Sequence, residues 1–160
     1  VKDVLYLDIS MRSDPTVVGA EIAAAHAYGD YFSARVGFET LASETPHYFF
    51  GGFTGGARLA LPWRLAPFVG MGGFIGWWEE EVQAEADLVD NDRDGSIDEF
   101  GERKEVIADG VIVLYPEVGV HLRLTDVVRL TLSGRYHVTT AGRAHDAWLA
   151  NVGLSLLLSP

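Results

Sequence analysis

Asp90, Asn91, Asp92, Arg93, Asp94, Gly95, Ser96, Ile97 and Asp98 form one uninterrupted run, and no other stretch of the chain has residue types and spacing so suited to chemistry. Carboxylates at relative positions one, three, five and nine can converge on one hard cation, with a glycine at six and an apolar residue at eight. Gly95 allows the sharp turn, and Ser96 can offer its backbone carbonyl. The pattern points to a calcium site with Asp90, Asp92, Asp94, Ser96, Asp98 and Glu102 as ligands, in preference to a merely solvated acidic loop. Position twelve is Gly101. Either Glu102 serves there through a distorted loop, or the site is weaker and more hydrated.

The surroundings of this run are specialised. Glu79 to Asp109 holds 13 acids against 3 bases, whereas the rest of the chain holds 10 against 9, so the net charge of -11 is almost wholly local. That marks a dedicated loop, not a generally acidic surface. Helix-favouring residues in Glu79 to Asp87 predict a short helix beside the bound ion. No basic stripe exists to neutralise phosphates, which disfavours nucleic-acid binding. The chain has no cysteine, which excludes thiolate metal sites and disulfides. His26, His47, His121, His137 and His145 are dispersed; neither Ser133 with His137 nor His145 with Asp146 completes a catalytic arrangement, so no enzyme is expected.

The elements that must carry the loop show most clearly between Val111 and Val138. Leu114, Pro116, Val118, Val120, Leu122 and Leu124 alternate with Tyr115, Glu117, Gly119, His121 and Arg123. Past a turn at Thr125 and Asp126, Val128, Leu130, Leu132, Gly134, Tyr136 and Val138 alternate with Arg129, Thr131, Ser133, Arg135 and His137. A period of two sustained this long predicts an antiparallel hairpin. The polar face mixes charges with small residues, and the only lysines are Lys2 and Lys104. Such a face suits the narrow interior of a closed barrel, leaving the Leu/Val face to lipid.

The same alternation recurs in Asp3 to Arg12, Thr16 to Tyr28, Tyr31 to Ala42, Tyr48 to Leu61, glycine-dense Pro67 to Trp78 and Ala147 to Leu158; the alanines of the second stretch would also suit a helix. That predicts eight strands in a single domain over residues 1–160, with 79–109 inserted between strands five and six. Connections after strands two, four and six read as tight, those after one, three, five and seven as longer. No basic, apolar leader precedes Val1, so a secretory signal, if there was one, is expected to have been removed. Trp63, Trp77, Trp78, Trp148, Tyr48 and Tyr136 fall near strand ends, where an interfacial aromatic girdle would lie.

The chain at this point resembles the small eight-stranded outer-membrane barrels of the OmpA and OmpX type. The resemblance is carried by Pro67-Phe-Val-Gly-Met-Gly-Gly73, by Pro116-Glu-Val-Gly-Val-His-Leu122 and by Asn151-x-Gly153-x-x-Leu156-x-Leu158 in the last strand. It implies an all-β, eight-stranded antiparallel up-and-down barrel in contact with outer-membrane lipid. The ending Ser159-Pro160 departs from the aromatic that usually closes that family's last strand. The acidic run, in turn, resembles an EF-hand-type calcium loop.

Inside such a barrel Asp8, Glu21, Glu39 and Glu117 are expected to meet Arg35, Arg58, Arg123, Arg129 and Arg135. A paired plug is favoured over an ion path, because unpaired buried charge is costly whatever the function. The function expected is that of a non-enzymatic outer-membrane barrel whose calcium-binding external loop serves structural or surface contacts. Two alternatives are a subunit that self-assembles into a homo-oligomer or extracellular fibre with calcium-bridged contacts, and a soluble barrel holding a small lipophilic ligand.

Overall fold

Alternating apolar and polar residues commit each run of this chain to a pleated ribbon with two unlike faces, and a sheet of such ribbons must hide one face. The computed structural model shows how, and describes residues 2–13, 16–44, 47–83, 103–140, 143 and 146–158. Eight strands follow in order: β1 (Lys2–Ser13), β2 (Thr16–Tyr28), β3 (Phe32–Glu44), β4 (His47–Ala60), β5 (Leu65–Gln83), β6 (Arg103–Arg123), β7 (Val128–Thr139) and β8 (Ala147–Leu157). Each pairs antiparallel with the next, and β1 pairs with β8 to close the barrel. Closure leaves no unpaired strand edge within the barrel wall, beyond which β5 and β6 continue paired only with each other.

The polar face is inside. Asp8, Glu21, Arg35, Glu39, Arg58, Glu117 and Arg135 are buried, while Ile9, Ile22, Val36, Phe53, Met71, Leu114, Leu132 and Leu154, one from each strand, are exposed. The soluble alternative with its apolar face inward is thereby overturned. β2 is a strand throughout, its alanines alternating between the interior and the exterior. A helix would have placed Glu21 and Val18 on neighbouring faces, where neither the interior nor the exterior could take both.

Three expectations need correction. The residues separating β1 from β2 and β3 from β4 number only two each, Asp14-Pro15 and Thr45-Pro46, so these connections are not longer than those at the opposite end. Glu79–Gln83 is not helical but continues β5, pairing with Arg103–Ile107 beyond a register shift at Trp78/Glu79. A bulge of this kind reorients the ladder near the rim, two residues before β5 parts from β4. Backbone pairing with β6, which continues through Gln83↔Arg103, outweighs the weak helix propensity of three glutamates. Ala84 to Asp87 lie outside the described residues.

The third correction concerns the aromatics. Trp63 is exposed at the tight-turn rim with Tyr28 and Tyr31, and at the other rim Tyr136 packs on Trp148 and Trp77 on Phe38. Trp78 instead points into the barrel, stacking on Phe50 with ring centroids 6.1 Å apart beside the cluster of Phe74, Val111, Val113 and Tyr115. It has the inward parity of its strand. The side chain of Tyr48 lies outside the described residues.

Candidate functional site

The register stacks charge at one level of the interior. Asp8 lies directly opposite Glu21, and Glu21 opposite Glu39, so three neighbouring strands present three carboxylates side by side. Like charges in register repel. Two guanidiniums offset this. Arg135 on β7 donates from Nη2 to Glu21 Oε2 at 2.7 Å, from Nη1 to Glu39 Oε1 at 3.5 Å and from Nε to Glu117 Oε1 at 3.2 Å. Arg35 Nη1 stands 3.3 Å from Glu21 Oε1, and its Nη2 donates to the Tyr115 hydroxyl at 3.0 Å. Arg58 forms a two-pronged pair with Glu117, both bonds 2.8 Å. This planar fork is the geometry in which an arginine best matches a carboxylate.

Neutral groups add to the network, although Glu39 Oε2 and both Asp8 oxygens accept no hydrogen bond from a described residue. Thr54 donates to Glu21 and Ser133 to Glu117, each at 2.9 Å, while Ser10 donates to Asn151 Oδ1 at 2.6 Å and lies 3.3 Å from Glu39 Oε1. The Arg58 guanidinium sits over Phe68 and Tyr6, and that of Arg135 over Tyr115, with carbon-to-centroid distances of 4.8, 5.2 and 5.1 Å. Aromatic faces thus cover what the carboxylates do not. None of Ser10, Thr54, Tyr115, Ser133 and Asn151 is assigned to the interior network by the sequence. Their inward parity, the same as that of the charges, was the available signal.

Glycine makes the room. Arg58 lies opposite Gly70, which lies opposite Glu117; Arg35, Gly56, Gly72 and Tyr115 form a second such row. A Cβ on Gly72 would come within 2.5 Å of the Tyr115 ring, so this glycine keeps the row passable. Dense glycine in β5 reflects interior volume, and the sheet wall itself stays regular.

Seven of the nine predicted interior charges come together in this way, and two do not. Arg123 and Arg129 sit at the tight-turn mouth and form no ion pair among the described residues. The network therefore holds four carboxylates and three guanidiniums. Asp8 is the least well served: neither oxygen accepts a hydrogen bond from a described residue, and its nearest cationic atoms are Arg35 Nη1 at 3.6 Å and Arg135 Nη2 at 3.7 Å. Asp8→Asn is accordingly expected to leave stability unchanged or to raise it by up to about 1 kcal/mol, since it removes a poorly paired buried charge at constant shape. Urea unfolding in vesicles checks this. A loss above about 2 kcal/mol would show that the network needs the Asp8 charge.

The network separates two small openings. Toward the long-loop end, Val17, Leu41, Phe50, Phe74, Val113 and Leu149 line an apolar cavity of about 40 Å³. Toward the tight-turn end lies a more polar one of about 130 Å³. Between them Glu21, Glu39 and Arg135 are completely shielded. Asp90, Asp92, Asp94, Ser96, Asp98 and Glu102 all lie outside the described residues, and no group of acidic or histidine side chains able to hold a metal ion occurs among the described ones.

No protein-family profile matches the sequence, and no curated protein matches it. Solved structures do. Neisserial surface protein A is 12% identical with a TM-score of 0.62, covering 97% of this chain and 94% of its own. A designed transmembrane β-barrel is 13% identical with a TM-score of 0.54, over 98% of this chain and 95% of the design. The Yersinia pestis outer-membrane protein Ail, determined in a phospholipid bilayer nanodisc, is 10% identical with a TM-score of 0.53, over 98% and 99%. These likenesses are of fold: the chain has the closed eight-stranded architecture of small outer-membrane barrels.

Proposed function

We propose that this chain is a non-enzymatic outer-membrane barrel that carries a calcium-binding acidic segment at its long-loop end and serves surface contact or stiffening there. The observation that carries the reading is the inverted partition of side chains. Val36, Leu114 and Met71 stand 63%, 63% and 72% exposed at the middle of their strands while arginine and glutamate fill the interior. Water would penalise such an exterior, and hydrocarbon would not. No helix among the described residues is long and apolar enough to cross a membrane; in this reading the strands cross it, their backbone groups paired around the closed wall.

Calcium binding is supported by the spacing of Asp90, Asp92, Asp94 and Asp98 and by the ladder that flanks them. Gln83 pairs with Arg103, which brings the two ends of the acidic segment to adjacent positions. Holding the ends together removes part of the closure entropy a cation would otherwise have to offset. Alternate carboxylates would hold the ion, Ser96 would add its carbonyl, and the ion would supply charge neutralisation to a segment with little of its own.

Limited trypsin digestion of the protein folded into phospholipid vesicles tests both parts, since Arg93 lies inside the pattern. The barrel is expected to resist with calcium or chelator alike. Cleavage after Arg93 should slow about tenfold with calcium at about ten times its dissociation constant, and Asp92→Asn with Asp94→Asn should abolish that protection. Equal cleavage with and without calcium would end the calcium reading, and digestion of the barrel itself would end the membrane reading. Regular polymers formed without lipid would replace it with the assembly reading.

A further inference from the structure

The tight-turn mouth holds the interior charges that the network leaves out. Arg123 ends β6 and is the direct cross-strand partner of Arg129, the second residue of β7. Two guanidiniums in register repel, and no carboxylate among the described residues forms an ion pair with either of them. A third is brought to the same place by the backbone, because the Arg123 amide donates to the Arg64 carbonyl at 2.9 Å and so ties the β4–β5 turn to the end of β6. All three side chains line the cavity of about 130 Å³. Asp30 is the one carboxylate on that wall. Asp3, at the same end, is taken by His26 at 2.7 Å. Arg129 Nε, beside Tyr6, is shielded from solvent and donates to no acceptor among the described residues.

We infer that this mouth is a binding site for a phosphate-type oxyanion held by Arg64, Arg123 and Arg129. Guanidinium forks bind oxyanions through paired N–H donors. Three forks exceed what the two oxygens of a carboxylate can accept, whereas a phosphate presents three or more acceptor oxygens and up to two negative charges. The bound anion turns a repulsive register pair into a bridged one. The phosphate belongs either to a free anion at that face or to the headgroup of a phospholipid in the adjoining leaflet, which offers the same oxygens.

The test uses thermal unfolding of the full chain in alkyl maltoside micelles with three additions: inorganic phosphate, sodium chloride at matched ionic strength, and phosphatidylglycerol doped into the micelle. The comparison variants are Arg129→Gln alone and the triple Arg64→Gln, Arg123→Gln, Arg129→Gln. Without additions the triple variant should be at least as stable as the parent, since it removes like-charge contacts. Phosphate at about ten times its dissociation constant should raise the parent's folded-to-unfolded ratio about tenfold, beyond any chloride effect, and leave the triple variant unmoved. A response to phosphate assigns the site to a free anion; a response to phosphatidylglycerol alone assigns it to a lipid headgroup. The proposal is overturned if chloride matches both additions, or if the triple variant responds as the parent does.

Discussion

Replacing Arg135 by methionine is expected to lower the unfolding free energy of the vesicle-embedded barrel by about 3–5 kcal/mol, the usual cost of removing one partner from a buried ionic network. Arg135 is 0% exposed and reaches Glu21, Glu39 and Glu117 through separate nitrogens, with Asp8 just beyond. Without it, four carboxylates would share two guanidiniums, and the register would still hold Asp8, Glu21 and Glu39 side by side. Methionine keeps the volume, so a cavity does not confound the result. Arg135→Lys should lose less, keeping the charge while giving up the fork that spans three acids. Urea titration followed by tryptophan fluorescence measures the losses. Adding Glu21→Gln to Arg135→Met should restore part of the stability, because neighbours in one network are not additive. A loss under about 1 kcal/mol for Arg135→Met would show that the interior is wet enough to solvate the acids by itself.

Met71→Arg tests the opposite face and carries the second large effect. Met71 lies halfway along the outward row of β5, between Leu65 near the tight turn and Trp77 near the far rim, and is 72% exposed. An arginine on the lipid face of a barrel costs about 2–4 kcal/mol at the bilayer midplane and about 0–1 near the interfaces. Leu65→Arg should therefore be nearly silent where Met71→Arg is severe. Equal small effects at both positions, measured by unfolding in vesicles, would show that this exterior does not face hydrocarbon.

The two faces were legible from the residues because strand parity is strict: one slip in register moves every side chain to the other side. Once β6 and β7 were read with Leu and Val outward, the same rule placed Asp8, Glu21 and Arg35 inward on strands of their own. Parity does not report height along the barrel. Arg123 and Arg129 share the inward face with Glu117 and Arg135, yet they occur at the end of β6 and the start of β7, six residues along their strands from that pair. That is why they could be expected in the network and are found at the mouth. Trp78 was misplaced for the converse reason, its position near a strand end having been weighed above its parity.

Connection lengths failed differently. Pro15 and Pro46 signal where strands stop but not how far pairing runs toward them, and the ladders of β1 with β2 and β3 with β4 run to within two residues of each other. The extension of β5 through Glu79–Gln83 rests on pairing with partners 20 to 28 positions away. Such non-local pairing is invisible to a reading of local propensity. The oxygen and hydroxyl groups that complete the interior network, Thr54 and Ser133 among them, required the register to be known.

The projecting ladder of β5 and β6 also decides what electrical surroundings the acidic segment begins in. Three residues, Glu81 to Gln83, continue past Glu80, the last residue of β5 to pair with β4. At about 3.3 Å per residue and a strand tilt of about 40°, they lift the start of the segment roughly 8 Å above that level. The screening length at physiological salt is about 8 Å, so that starting point stands about one such length off the rim. Repulsion between a charge there and an anionic leaflet falls to roughly a third over that distance. A charge at the segment's start is therefore governed by the salt of the bulk phase more than by the lipids beneath it.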